Sequence, residues 1–163
     1  MSADSDPLLA LEHWVAPLLA KLSPTERRGL ARKIGRELRR TQAKRIEKQR
    51  NPDGSAYEPR KRRKQGKAGT QRGRIRERMF AKLVQMRFLR LETSEASAAV
   101  GFLGRASRIA RVHQYGLREA IQPGGPQHQY FARELLGLTG ADRERVKDSL
   151  LNHLADGERS GSA

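Results

Sequence analysis

The chain has 163 residues, no cysteine and a formal net charge of +16, so it is about one domain long and holds neither a disulfide nor a thiolate metal site. It contains no run of about 18 apolar residues and no signal-peptide pattern, so we expect a soluble protein that is not exported by a classical route and does not enter a membrane. Its charge predicts attraction to polyanions or to acidic proteins.

The first predicted helix opens at Asp6, a plausible N-cap residue, followed by Pro7 at the first helical position. Pro17 lies inside this helix and lacks the N–H that an interior position needs, so we expect either a kink there or two short helices. The apolar side chains recur at steps of three and four and form one stripe: Leu8, Leu11, Val15, Leu18 and Leu22.

The second predicted helix begins at Ser23, which with Glu26 forms a capping-box pattern. It is strongly basic and ends before the turn cluster at 51–54. Its narrow apolar face consists of Leu30, Ile34 and Leu38.

A basic segment follows. Residues 44–78 carry 14 basic and four acidic side chains, and residues 51–73 are predicted to form a mobile basic loop because 60–73 hold too few apolar residues for a core. The charge is consistent with non-specific contact with nucleic-acid phosphates or with an acidic protein neighbour. Tyr57 is the only aromatic residue there, which argues against a module that stacks bases. The candidate contact residues are Arg60, Lys61, Arg62, Arg63, Lys64 and Lys67.

The spacing of Ile75, Met79, Phe80 and Leu83 predicts a short helix. Alternating residues over 86–91 and 96–102 then predict a β-hairpin packed against the helices.

Residues 105–115 are predicted to form a further helix that ends at Gly116, a C-cap. Its expected inward residues are Ile109 and Val112, with Tyr115 as a further candidate. We interpret 113–116 as a helix end rather than a ligand site.

A second exposed loop, irregular and polar, is expected at 117–130. Thr139 then caps a last helix, and residues 157–163 are expected to be a disordered tail. The predicted buried stripe of the last helix consists of Val146, Leu150, Leu151 and Leu154. The order of elements gives an α+β fold with a helical N-terminal half and a C-terminal helix.

No catalytic constellation is found in the sequence. The four histidines share no metal-ligand spacing, and no phosphate-binding glycine loop is present. We therefore expect a protein that is not an enzyme and that uses no cofactor or metal.

Three motifs in order carry a resemblance to a known family. They lie at residues 50–61, 109–116 and 130–138, and together with their spacing they are similar to the phage virion morphogenesis proteins, the tail completion proteins of temperate contractile-tailed phages. Ala132 and Glu134 depart from the family, which typically has prolines around the arginine of the third motif. The motif residues are Asn51, Pro52, Gly54, Tyr57, His113, Gln114, Tyr115, Gly116, Arg133 and Gly137.

The resemblance implies a single tail-completion domain over 1–156. It implies a late structural protein at the head-proximal end of the virion tail, assembled in the bacterial host cytoplasm, that makes the tail competent to join heads. It further implies a ring, expected to be a hexamer, that contacts the tail tube, the sheath and the head–tail connector. Residues 60–64 would face an acidic partner or the DNA in the channel. The alternative is a free, non-specific nucleic-acid-binding protein that uses residues 44–78.

Overall fold

A computed structural model describes residues 7–60, 78–94, 97–120 and 123–160. Within these ranges the chain forms four helices and four short strands, and the predicted α+β class is confirmed. β1 pairs with β2, and β3 pairs with β4, in two separate antiparallel sheets. The elements are α1 (Pro7–Leu19), α2 (Pro24–Glu47), β1 (Leu89–Thr93), β2 (Ala98–Phe102), α3 (Arg105–Tyr115), β3 (Arg118–Ala120), β4 (Gln127–Gln129) and α4 (Gly140–Ser160).

The chain divides into two compact units. The first unit comprises residues 1–41, 91–100 and 138–163, and so includes α1, most of α2 and α4. The second comprises residues 42–90 and 101–137, and so includes the end of α2, α3 and the β3–β4 hairpin.

The helix starts of the first unit are fixed by local capping. At the start of α2, the Ser23 backbone N–H donates to the Glu26 carboxylate at 2.8 Å and the Glu26 N–H donates to the Ser23 hydroxyl at 3.3 Å. At the start of α4, the Asp142 N–H donates to the Thr139 hydroxyl at 3.0 Å and the Thr139 N–H donates to the Asp142 carboxylate at 3.1 Å. Each pair satisfies two backbone N–H groups that have no partner within the helix, and both predicted starts are confirmed.

The packing of the first unit centres on Leu30 of α2 and Leu150 of α4, which are almost fully buried. A Cβ atom on Gly35 would lie 2.3 Å from Leu91 Cδ1 and 3.3 Å from the Ala98 Cβ, so α2 lies close to the hairpin at Gly35 and a larger residue there would displace the Leu91 side chain. α1 is one helix that contains Pro17. Of the two alternatives expected there, two short helices are ruled out, and a kink at Pro17 stays a prediction.

Two predictions for the C-terminal helix were wrong, one on its buried stripe and one on where it ends. Leu151, assigned to the buried stripe of α4, is 49% exposed, because each residue turns the helix by about 100° and Leu151 therefore lies away from the buried Leu150. α4 also continues to Ser160, into the segment expected to be a tail, while residues 161–163 lie outside the described residues.

The short helix predicted at 75–83 was wrong for the part that is described, residues 78–83, which forms a series of turns. Phe80 has a φ of 65°, in the left-handed region that a helix does not use. Backbone hydrogen bonds to the carbonyl three residues earlier follow, such as the one from Leu83 N to Phe80 O at 2.8 Å. The Gln49 side chain fixes the first turn, since it accepts from Met79 N at 2.9 Å and donates to Met79 O at 3.0 Å.

α3 has the predicted bounds, and Gly116 ends it with a φ of 60°. Val112 is buried as predicted, but Ile109 is 48% exposed and Tyr115 is 68% exposed, so their inward assignment was wrong. The buried face is completed by two small residues, Ala106 and Ala110, which the spacing of large apolar side chains did not reveal.

Two segments expected to be loops have defined structure. Residues 117–130 are mostly exposed, as predicted, but they are not irregular, because β3 and β4 pair with Glu119 opposite His128. Residues 51–55, at the start of the expected mobile loop, form a hydrogen-bonded turn closed by an isolated bridge between Arg50 and Ala56, and residues 57–60 follow it without regular structure.

Candidate functional site

The candidate site lies within the second unit, around a segment without regular structure at residues 130–137, here called the central segment. Side chains from three other parts of the chain bond its backbone: the end of α2, the turn at 50–59 and the end of α3. The three motifs therefore meet at one place.

The end of α2 contributes two buried polar residues. Gln42 donates to Gly137 O at 2.8 Å and accepts from Gly137 N at 3.2 Å. Arg45 donates to Glu134 O at 2.8 Å and to Leu135 O at 2.9 Å, and its other bonds reach Arg50 O and the Gln42 side chain. This buried guanidinium satisfies carbonyls that the irregular backbone cannot pair with itself.

The turn after α2 contributes Asn51 and Tyr57. Asn51 Oδ1 accepts from Glu134 N at 2.9 Å, and the buried Tyr57 hydroxyl donates to Glu134 O at 3.2 Å. Pro52 also contacts the segment, because a Cβ on Gly137 would lie 2.5 Å from the proline Cγ. Glycine is therefore required at 137 for this close approach.

Local bonds give the turn its shape. Asp53 accepts from Ser55 N at 2.8 Å and from the Ser55 hydroxyl at 2.6 Å, and these bonds lower the pKa of the Asp53 carboxyl. Gly54 has a φ of 88° and its N–H donates to Asn51 O at 3.0 Å. The turn thereby holds the Asn51 side chain where Glu134 can reach it.

The end of α3 contributes Gln114 and Gly116. Gln114 donates to Leu136 O and accepts from Leu136 N, both at 2.9 Å. A Cβ on Gly116 would lie 2.9 Å from Ala132 N, so the glycine that ends the helix also makes room for the central segment.

Arg133 joins the third motif to the other two. Its Nε donates to Glu58 O at 2.8 Å, one terminal nitrogen donates to Pro59 O at 3.1 Å, and the other lies 3.1 Å from His113 Nδ1. Burial, followed by the neighbouring charges of Arg133 and Arg60, lowers the pKa of His113 to about 4. The imidazole is therefore neutral near pH 7, with Nδ1 free to accept from Arg133.

A row of four rings covers the same site. Tyr57, Phe80, His113 and Tyr130 follow one another edge to face, with centroid distances of 5.9, 4.8 and 5.1 Å. Burial raises the pKa of Tyr57 to about 12, so its phenol stays neutral and can donate its bond. The rings and the hydrogen bonds together fix the central segment.

The remaining site predictions have different outcomes. Arg60 is exposed, directly after Pro59, while Lys61, Arg62, Arg63, Lys64 and Lys67 lie outside the described residues. Tyr115 is exposed.

The sequence did not reveal three residues of the site: Gln42, Arg45 and Phe80. Arg45 is one of many basic residues on α2, and nothing in the local pattern distinguishes it from its exposed neighbours.

The polar side chains of this site hold the backbone of the central segment in place. In the part of the chain that the structure describes, no group of three acidic or histidine side chains could hold a metal ion. Nor does any helix described here combine the length and apolar character needed to cross a membrane. The polar side chains at the centre of the site bond backbone groups and one another.

Comparison with known proteins identifies the class more closely. The chain belongs to the phage virion morphogenesis family, whose pattern matches residues 6–155. It is 39% identical over 144 residues to tail completion protein S of Escherichia phage P2, and the match covers 88% of this chain and 94% of that protein. No solved structure matches. The resemblance stated from the three motifs is confirmed, and the match supports a role in phage tail morphogenesis.

Proposed function

We propose that this protein is a non-enzymatic structural subunit that completes the head-proximal end of a phage tail and enables head–tail joining, as one copy of a ring. The observation that carries the proposal is the match to a tail completion protein across nearly all of that protein's length. The ring is expected to be a hexamer in contact with the tail tube, the sheath and the head–tail connector.

The geometry of the second unit supports this proposal. Every copy in a ring must present the same two contact surfaces, one to each neighbour, and an irregular segment keeps its shape from copy to copy only if its backbone is fixed. Here Arg45, Gln42, Asn51 and Gln114 bond successive backbone groups of residues 134–137. These side chains thus fix the backbone of the central segment by hydrogen bonds.

The basic run starts from this fixed part of the molecule. Pro59 O accepts from Arg133, and the exposed Arg60 follows directly. We propose that residues 60–67 meet an acidic surface of a tail partner or the DNA in the channel, the two sources of negative charge at such a place.

The first test is electron microscopy of particles from a phage that lacks the gene, with the wild-type gene supplied in trans as the control. We expect tails that have abnormal length or fail to join heads, and rescue by the wild-type gene. Normal, infectious particles from the phage without the gene would contradict the proposal and favour the alternative, a free nucleic-acid-binding protein that uses residues 44–78.

The same complementation assay examines the basic run. Residues 60–64 hold three arginines and two lysines, all of which are replaced by glutamine. Joined particles that inject DNA poorly indicate a DNA contact, whereas unjoined tails indicate a protein contact; full infectivity removes the role given to this run. The matched control neutralises five exposed residues of α2 with the same composition: Arg32, Lys33, Arg36, Arg40 and Lys44.

A further inference from the structure

The exposed face of α3 combines positive charge with an aromatic ring. Arg108, Arg111 and Tyr115 follow one another at steps of three and four, which places them on one side of the helix. All three are exposed, and Tyr115 is 68% exposed. They line a shallow groove of about 590 Å³ that also contains Leu117 and Arg118. Glu119, which pairs with Arg108, contributes the one acidic side chain of this lining, so the face is positive overall.

The exposed face of α4 carries two carboxylates and an apolar side chain at a comparable spacing. Glu144, Asp148 and Leu151 are exposed and lie at steps of four and three, on the side of the helix away from Leu150. Lys147 and the exposed Arg145 flank this stripe. Lys147 pairs with Glu144 at 3.0 Å and Arg145 pairs with Asp142 at 3.4 Å, which leaves Asp148 as the carboxylate at the centre of the stripe. Leu151 adds an apolar side chain at the end of the stripe.

We propose that these two faces bind each other between neighbouring copies of the chain. When the helices lie parallel, Arg108 is opposite Glu144, Arg111 opposite Asp148 and Tyr115 opposite Leu151. Each stripe covers seven steps along its helix, or about 10.5 Å, so the first and last pairs are in register. Arg111 and Asp148 are offset by one residue, about 1.5 Å, which their long side chains can span. Opposite charges align the helices, and the two apolar side chains leave water at the same end.

A second copy is the occupant that the structure supports, because both complementary faces belong to the same sequence. The contact uses a different surface on each partner, so it is head-to-tail and can close into a ring. This inference rests on the ring subunit proposed above and names the surfaces through which that ring would form.

Disulfide trapping tests the contact with no background from other thiols of this chain, since the natural chain has no cysteine. A variant that carries both Arg111→Cys and Asp148→Cys is supplied to the deletion phage, and purified tails are oxidised and analysed on a non-reducing gel. We expect a ladder of covalent multimers from the double variant, and monomers from each single variant because each lacks the partner thiol. The control double variant, Arg32→Cys with Glu92→Cys, replaces exposed residues outside both faces and is expected to give no ladder.

Charge reversal gives a second readout. Arg111→Glu alone and Asp148→Arg alone each place like charges together, and we expect about a tenfold loss of infectious particles from each. The combined variant restores an opposite pair and is expected to recover most of the titre. Arg32→Glu and Glu92→Arg serve as controls that leave the titre unchanged.

The outcomes separate this inference from the proposed function. Absence of the ladder in tails that contain the protein, or no rescue by the combined charge swap, overturns the α3–α4 contact while the completion role stands. Cross-linked dimers from a single variant would instead indicate a symmetric contact and would also overturn it. Normal tails without the gene overturn the proposed function itself.

Discussion

The helix starts of the first unit and the central segment of the second are both held by polar side chains, but over very different distances along the chain. Ser23 and Thr139 bond groups three residues away. Arg45 and Gln42 bond groups 89 to 95 residues away. A local cap can form with its own helix, whereas the central network exists only when the whole second unit is folded. Loss of a network member should therefore cost more than loss of a cap.

The largest expected effect comes from Arg45→Ala. This change removes a buried guanidinium and leaves carbonyls of Arg50, Glu134 and Leu135 without that donor. Bonds to charged groups are worth about 1.5–3 kcal/mol each and unsatisfied buried acceptors add a penalty, so we expect a loss of about 3 kcal/mol or more in the free energy of unfolding. Urea denaturation followed by circular dichroism measures it.

The matched control is Lys44→Ala, which removes a basic side chain from the exposed neighbouring position. We expect a change within about 0.5 kcal/mol. Equal effects of the two substitutions would show that the central network contributes nothing beyond helix propensity.

A smaller effect is expected from Ser23→Ala. The variant loses the hydroxyl that accepts from Glu26 N, at a cost of about 1 kcal/mol. The pKa of Glu26, which the bonds from Ser23 lower, should rise toward its usual value. Thr25→Ala, at an exposed position one residue into the helix, is the control. Thermal unfolding of both variants checks the prediction, and a loss as large as that of Arg45→Ala would remove the distinction between local and long-range contacts.

The same distinction explains how much of the molecule could be predicted from sequence. Ser23, Gly116 and Thr139 act within one turn of a helix, so their roles were visible in the local pattern and are confirmed. Arg45 acts through residues far along the chain, and its burial depends on the folded second unit.

Burial was less predictable than the elements themselves. The apolar spacing in α3 and α4 identified both helices, yet Ile109, Tyr115 and Leu151 are exposed. Two of these, Tyr115 and Leu151, belong to the faces for which we propose a second copy as partner. Periodicity shows which side chains are apolar, but not whether the chain itself or a neighbouring molecule covers them.

A further expected effect is a pH dependence that arises from the central network. His113 keeps a pKa of about 4 in the folded protein, against an ordinary value of 6.5, chiefly through burial and then through Arg133 and Arg60. As the pH falls from 6.5 toward 4, the unfolded chain takes up a proton at this residue before the folded chain does, so the free energy of unfolding decreases across that window and this contribution levels off below it. Partial exposure of the ring limits the size of the effect.

The variant His113→Asn separates this contribution from those of the carboxylates. An asparagine side chain can offer Arg133 an acceptor but cannot be protonated in this range, while Glu26 and Asp53 titrate as before. The quantity to compare is the difference in the free energy of unfolding between pH 7 and pH 5, so any loss of ring packing with Phe80 and Tyr130 cancels. We expect a smaller difference for the variant than for the wild type. Equal differences would contradict the assignment of a neutral His113 to the network, because a charged imidazole could not accept the bond that Arg133 directs at Nδ1.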